Sequence, residues 1–164
     1  MNRLDIGQIN RDAPYEVYHD LAKTDYYLFE TNQHIVYAIS FSEEFEIGGC
    51  MSYQFSISNE NGSHGSMDTK IRKTIIAIIE NFFELNKNVL LYICDNSDHR
   101  EQARAKLFVK WFDEYNGTRH YTIRTANATV EEQGIYAAII VDNSNPLLAD
   151  IVSDFNKMSQ ALAK

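Results

Sequence analysis

The chain has 164 residues, 45% of them hydrophobic, which is enough for one domain with a full core. It carries 23 acidic and 15 basic residues, a formal net charge of -8, which disfavours non-specific binding to DNA or RNA because such binding depends on Lys and Arg. The apolar runs are too short to span a membrane, and the first residues lack the apolar segment of a signal peptide.

The N-terminal part is predicted to lead from a polar segment into strands. Residues 1–24 are mixed in character, and we expect an N-terminal arm or short helix there, followed by a single domain over residues 25–164. Strands are predicted at Tyr26–Thr31 and Ile35–Phe41, on either side of a short turn. Met51–Ser58 alternates apolar and polar residues, which indicates a strand with one buried face.

A helix and a fully buried strand come next. Asp68 can cap the helix, and isoleucines and phenylalanines recur at spacings of three and four from Ile71 to Phe83. Val89–Cys94 is a continuous apolar run, typical of a strand covered on both faces.

A second helix is predicted from a cap at Asn96 or Ser97 to a stop near Gly117. Its predicted buried stripe consists of Ala103, Leu107, Phe108, Trp111, Phe112 and Tyr115. Strands at Arg119–Thr125 and Ile135–Asp142 follow, joined by the nine-residue connector ANATVEEQG.

Asn145 and Pro146 are suited to begin the last helix. Its apolar stripe is Leu148, Ile151, Phe155, Met158 and Leu162. The stripe indicates either core packing or a face that docks on a partner or a second copy. The predicted order is β-β-β-α-β-α-β-β-α, an α+β fold with a single mixed, mainly antiparallel sheet and helices packed on it.

Ionisable residues of both signs cluster where the buried strand meets the second helix. They are Asp95, Asp98, His99, Arg100 and Arg104. A strand end beside a helix N-terminus often lines a ligand crevice and favours an anion. The alternative is local electrostatics, in which the acids complement the helix dipole and pair with the arginines.

The first six predicted elements resemble the ribonuclease H-like fold, in which an Asp ends the fourth strand, where Asp95 stands here. The resemblance departs at the other acids, because Glu30, Glu80 and Glu84 are poorly placed for that site. Two-metal catalysis needs several carboxylates around ions about 4 Å apart, and Asp95 with Asp142 would not suffice. We therefore predict no metal site.

Cys50 and Cys94 are the only cysteines, and neither belongs to a zinc-ligand pattern. We expect reduced thiols and an intracellular location, with Cys94 buried as a small hydrophobe. The chain has no phosphate-binding glycine motif and no nucleophile motif, so we predict no cofactor and favour a binding protein over an enzyme.

Four segments resemble a family of small bacterial proteins known only as a domain of unknown function. They are the strand Tyr27–Thr31, the helix Thr74–Phe83, the strand end Tyr92–Asp95 and the helix Arg104–Phe112. The resemblance covers about residues 26–143 and implies a stand-alone soluble bacterial domain without an assigned activity.

These features predict a small acidic cytoplasmic protein that acts by binding, with another protein or a second copy as its partner. A regulatory, antitoxin-like or anti-phage accessory role fits such a protein. The alternative is an anion- or nucleotide-binding protein or a metal-dependent enzyme, with its site between Asp95 and Arg104.

Overall fold

The computed structural model describes residues 1–61, 68–95, 99–115 and 120–162, without the side chains of residues 95 and 99–101. In these ranges the elements are α1 (Ile6–Asp12), β1 (Tyr18–His19), β2 (Tyr26–Glu30), β3 (Val36–Ile47), β4 (Cys50–Asn59), α2 (Thr69–Leu85), β5 (Val89–Asp95), α3 (His99–Tyr115), β6 (Tyr121–Val130), β7 (Gln133–Asp142) and α4 (Leu148–Leu162). The fold is therefore α+β, as the sequence predicts.

The strands form one seven-stranded sheet in the order β1-β2-β3-β4-β5-β7-β6. β4 and β5 are parallel, with Ser52 beside Val89. β1, β2 and β3 pair antiparallel, as do β5, β7 and β6. The prediction of a single mixed, mainly antiparallel sheet is thus confirmed.

The chain divides into two compact units. The first unit consists of Met1–Ser42 and Phe55–Lys87, and the second of Glu43–Gln54 and Asn88–Lys164. Within each unit, the packing follows from which face of each strand is apolar.

An aromatic layer forms the core of the first unit. Phe82 of α2 stacks on Phe41 of β3 with ring centroids 5.1 Å apart, and Phe41 also lies 5.8 Å from Phe55 of β4. The Asp68 carboxylate accepts a hydrogen bond of 2.9 Å from the Ile71 backbone N–H, so the predicted cap of α2 is confirmed.

Two buried asparagines of the first unit hold the N-terminal segment on α2. Asn81 Oδ1 accepts from the Asp5 backbone N–H at 2.8 Å, and Asn86 Oδ1 accepts from the Asn2 backbone N–H at 2.6 Å. The Leu4 N–H donates to the Tyr27 hydroxyl at 3.1 Å. Buried polar groups satisfied in this way give the N-terminal segment a fixed place.

In the second unit, β5 is covered on both faces, which confirms the prediction from its apolar run. Val89 and Leu91 are buried in a cluster that includes residues of α4, whereas Tyr92 contacts Phe108 of α3 with ring centroids 6.2 Å apart. Because successive side chains of a strand point to opposite faces, α3 and α4 lie on opposite sides of β5.

The predicted stripe of α3 is partly wrong. Phe108, Trp111 and Phe112 are buried as expected, but Ala103, Leu107 and Tyr115 are exposed. The buried side of α3 also includes Ala105 and Val109. Alanine and leucine are common on both the buried and the exposed side of a helix. Including Ala103 and Leu107 therefore rotated the predicted buried face away from the observed one.

Two pairs of neighbouring strands, β3 with β4 and β6 with β7, are each joined by a two-residue turn. β3 and β4 are joined by Gly48 and Gly49, with φ of 60° and 80°. β6 and β7 are joined by Glu131 and Glu132, with φ of 50° and 68°. The nine-residue connector predicted between the latter strands is wrong, because most of it extends β6 and begins β7.

The close approach of α4 requires a glycine at position 48. A Cβ atom there would lie 2.4 Å from the Ile151 backbone nitrogen, inside van der Waals contact. The Gly48 N–H also donates to the Asp154 carboxylate at 2.7 Å. The β3–β4 turn and the first turns of α4 are therefore held together.

Candidate functional site

The predicted cluster of ionisable residues, Asp95 to Arg104, begins at the end of β5 and continues into α3. β5 ends at Asp95 and α3 begins at His99, so the backbone has the strand–helix arrangement that the sequence predicts. Asp98 lies outside the described residues, as do the side chains of Asp95, His99 and Arg100, and Arg104 is half-buried on α3. A ligand site at this cluster stays a prediction.

The strand register separates two acids considered for a metal site. Asp95 pairs with Ile135 at the start of β7, whereas Asp142 ends β7 and pairs with Tyr121. Seven residues of strand span about 23 Å at roughly 3.3 Å per residue, far beyond the separation of carboxylates that share metal ions. Among the side chains that the structure describes, no group of three His, Cys, Asp or Glu could hold a metal ion.

A pocket in the first unit is lined largely by polar groups near the start of α2. Its lining includes Thr31, Gln33, Asp68 and Lys70. The Thr31 hydroxyl accepts from the Gln33 and Ile35 backbone N–H groups at 3.3 and 3.2 Å, and Asp68 caps α2. These groups stabilise a turn and a helix end, which accounts for their polarity.

The stripe of α4 divides into a buried and an accessible half. Ile151 and Phe155 are buried in the core of the second unit, and Leu148 packs against that core. Met158 is half-buried and Leu162 is 47% exposed. Core packing therefore accounts for Ile151 and Phe155, Leu148 is partly buried against the same core, and Met158 and Leu162 are accessible to a partner.

Met158 and Leu162 border an apolar groove with a cavity volume of about 90 Å³. Strands of the second unit contribute Phe45, Ile47, Leu91, Ile93, Ala126, Ala128, Ile135 and Ala137, and α4 contributes Phe155, Met158, Ser159 and Leu162. We call this set the α4 groove. Phe45 is 39% exposed, so apolar surface continues to the rim.

The α4 groove has little capacity for hydrogen bonding. Its one polar side chain, Ser159, donates from its hydroxyl to the Phe155 carbonyl at 2.8 Å. A phosphate or carboxylate would lose its water there without gaining strong donors. The groove therefore suits an apolar group, of the size of a leucine or phenylalanine side chain.

A polar pair of the second unit lies away from the groove. The Lys106 ammonium lies 5.5 Å from the centroid of the Tyr136 ring. Burial raises the pKa of Tyr136 to about 12, with a smaller contribution from Cys94. Tyr136 alternates along β7 with the groove residues Ile135 and Ala137, so it faces the side of the sheet occupied by α3.

Sequence reasoning missed four groove residues. Phe45 and Ile47 alternate with Glu44 and Glu46 but lie beyond Phe41, where the predicted strand ends. Ala126 and Ala128 lie in the predicted connector. The signal that could have found the alanines is the alternation of small and polar residues from Thr125 to Val130, which continues the pattern of β6.

Among the described helices, none is both long and apolar enough to cross a membrane. No curated protein and no solved structure matches the chain. Residues 67–157 match a family of unknown function, DUF6169. The match contains three of the four segments that suggested a family, and the strand Tyr27–Thr31 precedes it. Because the match covers more than half of the chain, the protein belongs to this family of unknown function.

Proposed function

We propose that the protein acts by binding another protein, which inserts one or two large apolar side chains into the α4 groove. The observation that carries the proposal is a groove with apolar walls and an exposed apolar rim beside α4. Exposed apolar surface that continues into a cavity is typical of protein-binding sites.

The apolar lining of the groove supports a protein rather than a polar metabolite as the occupant. Small molecules that carry phosphate or carboxylate need convergent donors, and Ser159 donates within its own helix. Met158 is unbranched and flexible, so it can adapt to an inserted side chain. Phe45 and Leu162 also line the groove and provide exposed apolar contact area.

The proposal places this binding protein in the bacterial cytoplasm, in a regulatory, antitoxin-like or anti-phage accessory role. The resemblance to a bacterial family supports the source. Both cysteines, Cys50 and Cys94, are buried, and buried cysteines that serve as small hydrophobic residues fit a reducing compartment.

A pair of charge variants on α4 tests the proposal. Met158→Glu puts a carboxylate into the groove, whereas Asn156→Glu puts the same charge on the exposed side of the same helix. The partner is first isolated with the wild-type protein, then produced alone, and the dissociation constant is measured by titration calorimetry.

We expect Met158→Glu to weaken binding at least ten-fold, because an unpaired charge would be buried at the interface. Asn156→Glu should leave affinity within about two-fold. Leu162→Gln provides a second groove variant at a half-exposed position, where folding is little affected. Unchanged affinity in both groove variants would exclude the groove as the binding site.

A further inference from the structure

The far edge of β6 is open in the described part of the chain. β6 is the last strand of the sheet and pairs with β7 along all ten of its residues, Tyr121–Val130. At the other end of the sheet, β1 has only two residues, Tyr18 and His19. Natural edge strands are usually short, or carry lysine or proline, because a long open edge invites a further strand.

β6 is ten residues long and has neither lysine nor proline. Its sequence, YTIRTANATV, contains no proline and a single charged residue, Arg124. Thr and Ile residues favour extended backbone in it. The side of β6 that faces away from β7 is therefore the place at which the sheet can accept a further strand.

The open edge adjoins the α4 groove. Ala126 and Ala128 of β6 line the groove, opposite Ala137 and Ile135 of β7. Neighbouring strands lie about 4.8 Å apart, and directly opposite residues share one face. A strand added to β6 would thus place every second side chain next to the two alanines, whose small size leaves room for a larger neighbour.

Arg124 precedes these alanines on the same face. It pairs with Ile139, which belongs to the cluster around α4. Its side chain is exposed and its guanidinium donates to the Ile123 carbonyl at 2.9 Å. An added strand would bring a residue opposite Arg124, and a carboxylate there gains a cross-strand ion pair.

We propose that the partner's segment joins the sheet as an antiparallel strand on the open edge of β6, with two large apolar residues opposite Ala128 and Ala126 and an acidic residue opposite Arg124. This inference rests on the proposed function and names the conformation and chemistry of the bound segment. Backbone hydrogen bonds supply affinity in such strand addition, and alternate side chains supply specificity.

A second copy of the chain fits this edge less well. In a symmetric antiparallel pair, the side chains that β6 offers to the groove face of its neighbour are mostly short or charged, among them Thr122, Arg124 and Ala126. These side chains would leave the groove unfilled. The observations therefore favour a different segment with leucine-sized residues.

The experiment uses a synthetic peptide with blocked ends, in which threonine alternates with leucine, leucine and aspartate in that order. Two derivatives carry N-methyl groups on one or the other alternating set of backbone amides, with the side chains unchanged. Affinity for the full-length protein is measured by calorimetry. We expect the unmodified peptide to bind, one derivative to bind at least ten-fold more weakly because several hydrogen bonds are lost, and the other to bind equally well.

A charge exchange tests the register. Arg124→Glu should weaken binding of the aspartate peptide about two- to five-fold and strengthen binding of a lysine version by a similar factor. Equal binding of both methylated derivatives would overturn strand addition, while groove binding would still stand on the Met158→Glu result. Failure of the unmodified peptide to bind would also overturn the inference, as would a dimer in sedimentation that the peptide does not dissociate.

Discussion

The two units of the chain attach their terminal segments by different chemistry. In the first unit, buried asparagine side chains bond to the backbone of the N-terminal segment. In the second unit, the cluster between β5, β7 and α4 is built from apolar residues such as Val89, Leu91 and Phe155. Hydrogen bonds are directional and specify where a segment docks, whereas apolar packing tolerates additional apolar surface that stays accessible. The apolar α4 groove lies in the second unit.

The largest expected effect concerns the tight turn of the second unit. Gly48→Ala should lower the free energy of unfolding by about 2–5 kcal/mol, because the new Cβ would overlap the Ile151 backbone and position 48 has a positive φ. Gly49→Ala is the matched control, since its φ is also positive but nothing lies within 4 Å of its Cβ, and it should cost about 1–2 kcal/mol. Urea denaturation measures both, and equal losses would contradict the close packing of α4 on this turn.

The polar attachment of the first unit should show an intermediate effect. Asn81→Ala removes the acceptor of the Asp5 N–H and the donor to the Gln8 side chain. We expect a loss of about 1–3 kcal/mol in the free energy of unfolding, because a partly buried N–H loses its partner. Hydrogen exchange should become faster in α1 first. Unchanged protection of Ile9, which is buried in α1, would contradict a role for Asn81 in holding the segment.

High pH should weaken the second unit through a buried phenol. The pKa of Tyr136 is raised to about 12, so the folded state favours the protonated form. The resulting contribution to the free energy of unfolding is fully present below the pKa of an unfolded tyrosine, near 10, and is lost as pH rises towards 12. We expect this loss to be about 1–2 kcal/mol. Thermal melts of Tyr136→Phe from pH 9 to 12 should fall less steeply than those of the wild type.

Tyr27 of the first unit provides the comparison for that titration. Burial raises its pKa too, but the hydrogen bond from the Leu4 N–H acts in the opposite direction. Tyr27→Phe should therefore change the pH dependence less than Tyr136→Phe. A larger effect of Tyr27→Phe than of Tyr136→Phe would show that the hydrogen bond from the Leu4 N–H does not limit the rise in the pKa of Tyr27.

The smallest expected effect is on stability at the rim of the groove. Leu162→Gln should change the free energy of unfolding by less than about 0.5 kcal/mol, since the side chain is half-exposed. The same change should weaken partner binding measurably. A loss of stability comparable to that of Asn81→Ala would mean that the rim serves folding rather than binding.

Local patterns predicted the regular elements well. The cap at Asp68 and the apolar run Val89–Cys94 each specify their element through residues close in sequence. The β6–β7 turn was missed because Glu131 and Glu132 occupy positive φ, where glycine and asparagine are the usual signals.

The candidate site was much less predictable than the fold. Phe45 and Ala128 lie more than eighty residues apart and both line the groove, so only the folded sheet brings them together. The C-terminal half of the α4 stripe was predicted, because Met158 and Leu162 follow the helical repeat. Periodicity alone could not separate them from Ile151 and Phe155, which follow the same repeat and are buried.

The position of β5 in the sheet has a consequence for synthesis on the ribosome. Its neighbours are β4 and β7, and Leu90 pairs with Ile140, about fifty residues later in the chain. At roughly 5–20 residues per second, the most apolar strand waits about 3–10 s for one of its two partners. During that interval the nascent chain presents an aggregation-prone segment, VLLYIC, to its surroundings. Slower translation should therefore lengthen the period in which this segment depends on chaperones.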